Sequence, residues 1–72
     1  MEGIITWKGE VKNYFLFTVK LSNGDSAKTY VVKGFRNCAN WSHLKIGDHV
    51  DGLEWQNESK KIINADSPVY RS

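Results

Sequence analysis

Over most of this chain apolar and polar residues alternate with period two, the pattern of half-buried strands. Residues 3–12 open it, with Ile5, Trp7, Gly9 and Val11 on one face and Ile4, Thr6, Lys8, Glu10 and Lys12 on the other. Gly9 inside that run predicts a bulge or a sharp bend. After Asn13 the strongest run, residues 14–21, puts Phe15, Phe17, Val19 and Leu21 on one face against Leu16, Thr18 and Lys20. Its aromatic and β-branched residues suit a pleated, half-buried surface. Ser22-Asn23-Gly24-Asp25 follows, and Asn-Gly between two alternating runs predicts a hairpin. The returning strand, residues 28–33, sets Thr29, Val31 and Lys33 against Lys28, Tyr30 and Val32. Each face carries a valine and a lysine, so the pattern leaves the inward side open. Gly34 ends the run.

Residues 35–45 have neither period. Phe35, Trp41 and Leu44 supply apolar anchors, and Asn40 could cap a single helical turn through Leu44. Alternation returns after Leu44-Lys45-Ile46-Gly47-Asp48, where glycine supplies the positive φ of a tight turn and aspartate satisfies nearby backbone donors. Residues 49–55 form an expected fourth strand, with Val50, Gly52 and Glu54 opposed to Asp51, Leu53 and Trp55. Gln56-Asn57-Glu58-Ser59 is a polar turn, and residues 60–65 form a fifth strand around Ile62 and Ile63. Residues 66–72 read as a tail in which Pro68 discourages further sheet pairing.

At 72 residues the chain is one domain. Hydrophobic content of 40% with three residues each of Trp, Tyr and Phe is that of a globular protein. A core must be assembled from few side chains, which assigns Phe17, Trp7 and Phe15 to it. Cys38 is the only cysteine, so no intramolecular disulfide can form, and this agrees with a reducing, cytoplasmic setting. The first residues lack a basic leader and no apolar run approaches the ~20 residues of a membrane span, so neither secretion nor a membrane partner is expected.

The net charge of +2 conceals an asymmetry. Residues 8–36 carry six cations (Lys8, Lys12, Lys20, Lys28, Lys33, Arg36) against Glu10 and Asp25, a net +4. Residues 45–58 carry Lys45 against Asp48, Asp51, Glu54 and Glu58, a net −3. The first half attracts polyanions and the second repels them.

Three early strands, a loop or short helix, and two more strands is the order of an oligonucleotide/oligosaccharide-binding (OB) barrel. Gly3-Ile4-Ile5, the hairpin from Phe15 through Gly24, and Lys45-Ile46-Gly47-Asp48 leading into Val50 carry a resemblance to single-stranded nucleic-acid-binding OB domains, such as those of replication protein A and bacterial single-strand-binding proteins. The resemblance implies an all-β, five-stranded Greek-key barrel over residues 1–72, with a short loop or single helical turn between strands 3 and 4. It also implies a bound strand crossing strands 2 and 3, flanked by the 1–2 loop (Lys12, Asn13, Tyr14) and the 4–5 loop (Gln56, Asn57, Lys60, Lys61). The acidic C-terminal tail of the bacterial proteins has no counterpart in Pro68-Val69-Tyr70-Arg71-Ser72.

Single-strand binding needs aromatic faces for bases and cations for phosphates. Lys12, Tyr14, Lys20, Tyr30, Lys33, Phe35, Arg36, Trp41, Trp55, Lys60 and Lys61 are the candidate contacts, and the expected role is an accessory one in replication, recombination or repair. The alternative is a protein–protein module that dimerises or docks on a larger replication or repair protein through outward apolar residues, among them Ile4, Leu16, Val31, Val69 and Tyr70. A third reading, with a different strand order, is an SH3-like or ribosomal-type barrel on structured RNA. No catalysis is expected: Asp48 and Glu54 share a strand face that Asp51 does not, and there is neither a nucleophile turn nor a phosphate-binding glycine loop. Cys38, His43 and His49 match no zinc spacing, so no metal or other cofactor is expected.

Overall fold

A computed structural model describes Met1–Arg71; Ser72, the end of the expected tail, lies outside the described residues. β1 (Gly3–Glu10), β2 (Tyr14–Leu21) and β3 (Ser26–Val32) form an antiparallel meander. One helical turn, α1 (Cys38–Trp41), precedes four short strands, β4 (His49–Asp51), β5 (Trp55–Asn57), β6 (Ile62–Ile63) and β7 (Tyr70–Arg71). All lie in one sheet of order β5-β6-β3-β2-β1-β4-β7. β1 is bonded to β2 along one edge and to β4 along the other, and β6 runs parallel to β3, so the sheet curls into a half-barrel. No helix among the described residues is long and apolar enough to cross a membrane.

The inward face follows the alternation of the hairpin. Phe17, Val19 and Leu21 of β2 are buried, as are Ala27, Thr29 and Val31 of β3. This resolves the side left open by the sequence: Lys28, Tyr30 and Val32 point out. Val31 is therefore not an outward apolar residue, as the docking alternative required. The Thr29 hydroxyl, buried among aliphatic side chains, donates to the Ile63 carbonyl at 2.9 Å and so costs little to bury.

Three departures from the expected pattern matter. First, the bulge in β1 lies at Thr6, between Ile5↔Val19 and Trp7↔Thr18, and not at Gly9. One extra residue reverses the side of everything after it. Ile5 is buried, while Trp7, assigned to the core by alternation, is 49% exposed on the outer face. Second, the expected fourth strand is two strands, parted at residues 52–54. Gly52 adopts φ 76°, and a Cβ there would lie 2.7 Å from the Pro68 carbonyl oxygen. The break lets Val50 and Leu53 both reach the core, which unbroken alternation forbids. Third, the tail pairs after all: Asp51↔Tyr70 and Val50↔Arg71 make β7. Pro68 precedes that strand, where its missing N–H removes no ladder bond. The count is thus seven strands and not five.

The aperiodic segment is tied down from inside. Trp41 is completely buried against Phe17 (ring centroids 5.2 Å apart) and its indole N–H donates to the Ala65 carbonyl at 3.0 Å. The helical turn begins earlier than expected, with Asn37 preceding it and no side-chain cap. Lys8 bridges to this segment from β1, donating to the Ser42 and Leu44 carbonyls at 2.8 Å each. The Gly-Asp turn closes the seam. Asp48 accepts the Lys45 N–H at 2.8 Å through its carboxylate, Gly47 at φ 97° donates to the Ile5 carbonyl at 2.7 Å, and the Ile5 N–H donates to the Asp48 carbonyl at 2.9 Å.

Candidate functional site

Cross-strand register assembles the outer face of β1–β3 row by row. Trp7, Thr18 and Lys28 form one row; Gly9, Leu16 and Tyr30 the next; Tyr14 and Val32 a third. The absence of a side chain on Gly9 lets the indole of Trp7 lie down on the sheet: a Cβ there would overlap the Cη2 end of the ring. Tyr30 is 46% exposed and meets Tyr14 edge-to-face at 6.3 Å, an arrangement that fixes both rings.

Three depressions lie side by side across this face. One of ≈ 270 Å³ is lined by Thr18, Lys28, Lys60 and Lys61. A shallow one of ≈ 130 Å³ lies over Trp7, Leu16, Thr18, Lys28 and Tyr30. The third, ≈ 570 Å³, runs from Tyr30 and Val32 past Phe35, Arg36 and Gln56 to Asn64. The first two share Thr18 and Lys28, and the last two share Tyr30, so a track with an aromatic floor lies between two cationic depressions. Among the described residues no acidic side chain pairs with Lys12, Lys20, Lys28, Arg36 or Lys60.

The candidate residues divide accordingly. Tyr30, Phe35 (66% exposed), Arg36, Lys60 and Lys61 line the track, and Tyr14 packs against its floor. Lys12 is exposed in the β1–β2 turn beyond its end. Lys20 is exposed but belongs to a separate depression with Ile4 and His49. Lys33 is spent on Glu10 and sits 4.9 Å over the Phe15 ring. Trp55 is half-buried, with the Lys61 ammonium 5.4 Å above its ring and also 3.2 Å from Asp25. Lys61 holds a left-handed φ of 57°, and such strain concentrates at functional sites. Trp41 is removed from the set, because a ring with no exposed surface cannot stack on anything.

Trp7, Leu16, Thr18, Lys28 and Val32 were not selected from the sequence. For Trp7 the bulge at Thr6 carried no residue signature. For Lys28 and Val32 the outward side was ambiguous; the alternation that groups them with the candidate Tyr30 was the available signal. The carboxylates of the other half serve their own backbone: Asp51 accepts the Gly52 N–H at 2.7 Å, and Asp48 also meets Arg71 at 3.4 Å. Among the described residues no three His, Cys, Asp or Glu side chains are grouped to hold a metal ion. No family model, curated protein or solved structure matches the chain.

Proposed function

We propose that this protein binds single-stranded nucleic acid, without catalysis, across the outer face of β1–β3. The observation that carries the reading is the row of depressions, in which Trp7 and Tyr30 form an exposed floor between the lysines at one end and Arg36 at the other. Bases stack on such rings for ~1–3 kcal/mol each, and unpaired lysines accompany the phosphates. Duplex cannot use the floor, because its bases are already stacked on one another. An accessory role in replication, recombination or repair belongs to the same proposal.

The OB barrel is the fold we propose for it. If β4 and β5 count as the halves of one strand broken at Gly52, and β6 as the last, the pairings run 1-2-3-5-4-1 with strands 3 and 5 parallel. That order supports the resemblance carried by the hairpin and the Gly-Asp turn. Binding would be tested by fluorescence anisotropy of labelled oligo-dT and oligo-U. The expected result is an affinity that falls with salt by ~0.7 log unit per log unit of salt for each phosphate contacted, with quenching of Trp7. No binding of either oligomer at low salt overturns the proposal.

A further inference from the structure

We infer that the open edge of β3 takes up an extended peptide as an added strand, with an acidic side chain of the peptide set against Arg36. The inference does not rest on nucleic-acid binding, but it shares Tyr30, Phe35 and Arg36 with that proposal, so the two ligands would compete for this depression.

The main chain of β3 fixes which groups are at issue. The Lys33 N–H donates to the Asn13 carbonyl at 2.8 Å, toward β2, and the Lys28 N–H donates to the Lys61 carbonyl at 3.0 Å, on the opposite side. Because backbone groups alternate in direction along a strand, Tyr30 and Val32 turn theirs away from β2. The ladder with β6 has a single registered pair, Lys28↔Ile62. Past Ile63 the chain turns aside, the Asp66 N–H donating to the Asn64 side chain and the Ser67 N–H to the Asn64 carbonyl. Among the described residues nothing donates to the Tyr30 carbonyl, and nothing bonds the N–H or carbonyl of Val32. These groups open onto the ≈ 570 Å³ depression.

Two features argue for a peptide there. A guarded edge carries lysine, proline or a charge aimed inward; here Lys33 is spent on Glu10 and the Phe15 ring, and the outward side chains are Tyr30, Val32 (42% exposed) and Phe35. β3 lies inside the strand order and is open only beyond its Lys28↔Ile62 pairing with β6, whereas the end strand β7 has Arg71 on it and Pro68 just before it. The hydrogen-bonding pattern is also that of a strand: carbonyl, N–H, carbonyl at strand spacing. Alternate residues of an added peptide satisfy all three, whichever direction it runs. A phosphate offers only acceptors and would face two carbonyls, and a base edge satisfies one donor–acceptor pair and leaves the third group open. Arg36, at one side of this cleft, has no acidic partner among the described residues. The Asp66 carboxylate, which also lines it, accepts from the neutral Asn37 amide at 3.0 Å and keeps its own charge, so it is at Arg36 that an acidic side chain of the peptide finds its partner.

The test uses the full chain, ¹⁵N-labelled, and a capped hexapeptide of alternating valine and glutamate at millimolar concentration. A saturable shift of the Val32 amide and slowed exchange of its proton are expected. N-methylating alternate residues along one edge of the peptide should weaken binding by about tenfold or more, the scale of lost hydrogen bonds, while methylating the other edge changes little. Val32→Pro deletes an N–H that pairs with no strand, and should abolish binding with an unchanged far-ultraviolet spectrum. Arg36→Glu should weaken binding. An unmoved Val32 amide, equal binding of the two methylated peptides, or shifts centred on Tyr70 and Arg71 would each overturn the inference. So would protection of the Val32 amide by oligo-dT and not by the peptide. Should Val32→Pro unfold, the pair of methylated peptides decides alone.

Discussion

Trp7 and Trp41 lie on opposite faces of the same sheet and do opposite work. Around Trp41 the polar groups are turned inward: its indole N–H onto Ala65 and the Lys8 ammonium onto Ser42 and Leu44, with the buried Asn37 Oδ1 left without a partner among the described residues. Around Trp7 almost nothing is spent, since the ring rests on Gly9, Lys28 has no acidic partner, and Tyr30 is exposed beside it. A small barrel cannot bury all its rings and also present a binding face. The sheet separates the two, with packed rings inside and exposed rings outside; recognition on the outer face is our proposal.

The sharpest way to break this comparison is to remove each ring. Trp41→Ala is expected to cost about 3–5 kcal/mol, as loss of a buried aromatic does. That is comparable to the whole stability of many domains, which starts at about 5 kcal/mol, so thermal melting should find it largely unfolded. Trp7→Ala should leave the melting temperature nearly unchanged and weaken oligonucleotide binding by about 1–3 kcal/mol. If Trp7→Ala melts as early as Trp41→Ala, the division between the two faces is wrong.

Next in size is the pair of lysines. Lys8→Met removes the donor to two carbonyls and should cost about 1–2 kcal/mol of stability, read by urea unfolding, with an unchanged salt dependence of binding. Lys28→Ala should do the reverse, leaving stability alone and lowering the slope of log affinity against log salt by about one phosphate's worth. Gly9→Ala gives the smallest and most specific effect. The added methyl must displace the indole, so the emission of the free protein should shift and binding should weaken, by less than in Trp7→Ala. Unchanged emission would show that Trp7 does not rest on Gly9.

The meander could be read from the sequence because its signals were local and redundant: clean alternation through Phe15, Phe17, Val19 and Leu21, then Asn23-Gly24. The Gly-Asp turn was legible for a similar reason, whereas the helical turn lies earlier than expected, because the Asn40 cap expected of it is not made. What escaped were single-residue events whose cause lies elsewhere in the fold. The bulge at Thr6 needs the register of β2 to be seen, and it alone moved Trp7 from core to surface. The break at Gly52 depends on the Pro68 carbonyl packed against it, and β7 depends on β4 having an unpaired edge. Tyr30, Phe35, Arg36, Lys60 and Lys61 fall on the three depressions because outward strand positions and polar turns leave their side chains at the surface. Trp41 misled because an aperiodic segment gives no face to assign it to.

The bonds between Ile5 and the Gly47-Asp48 turn also bear on the timing of folding. β1, β2 and β3 are joined by short turns, whereas the seam at Ile5 joins segments far apart in the chain, whose closure entropy is the larger. The expected order is meander first, seam last. Gly47→Ala, strained at φ 97° and costing about 1 kcal/mol, should therefore speed unfolding and barely alter refolding in stopped-flow measurements. Gly24→Ala in the first hairpin should slow refolding instead. On this scheme Asn23 and Gly24 govern how fast the half-barrel forms, and Gly47 and Asp48 how long it stays shut.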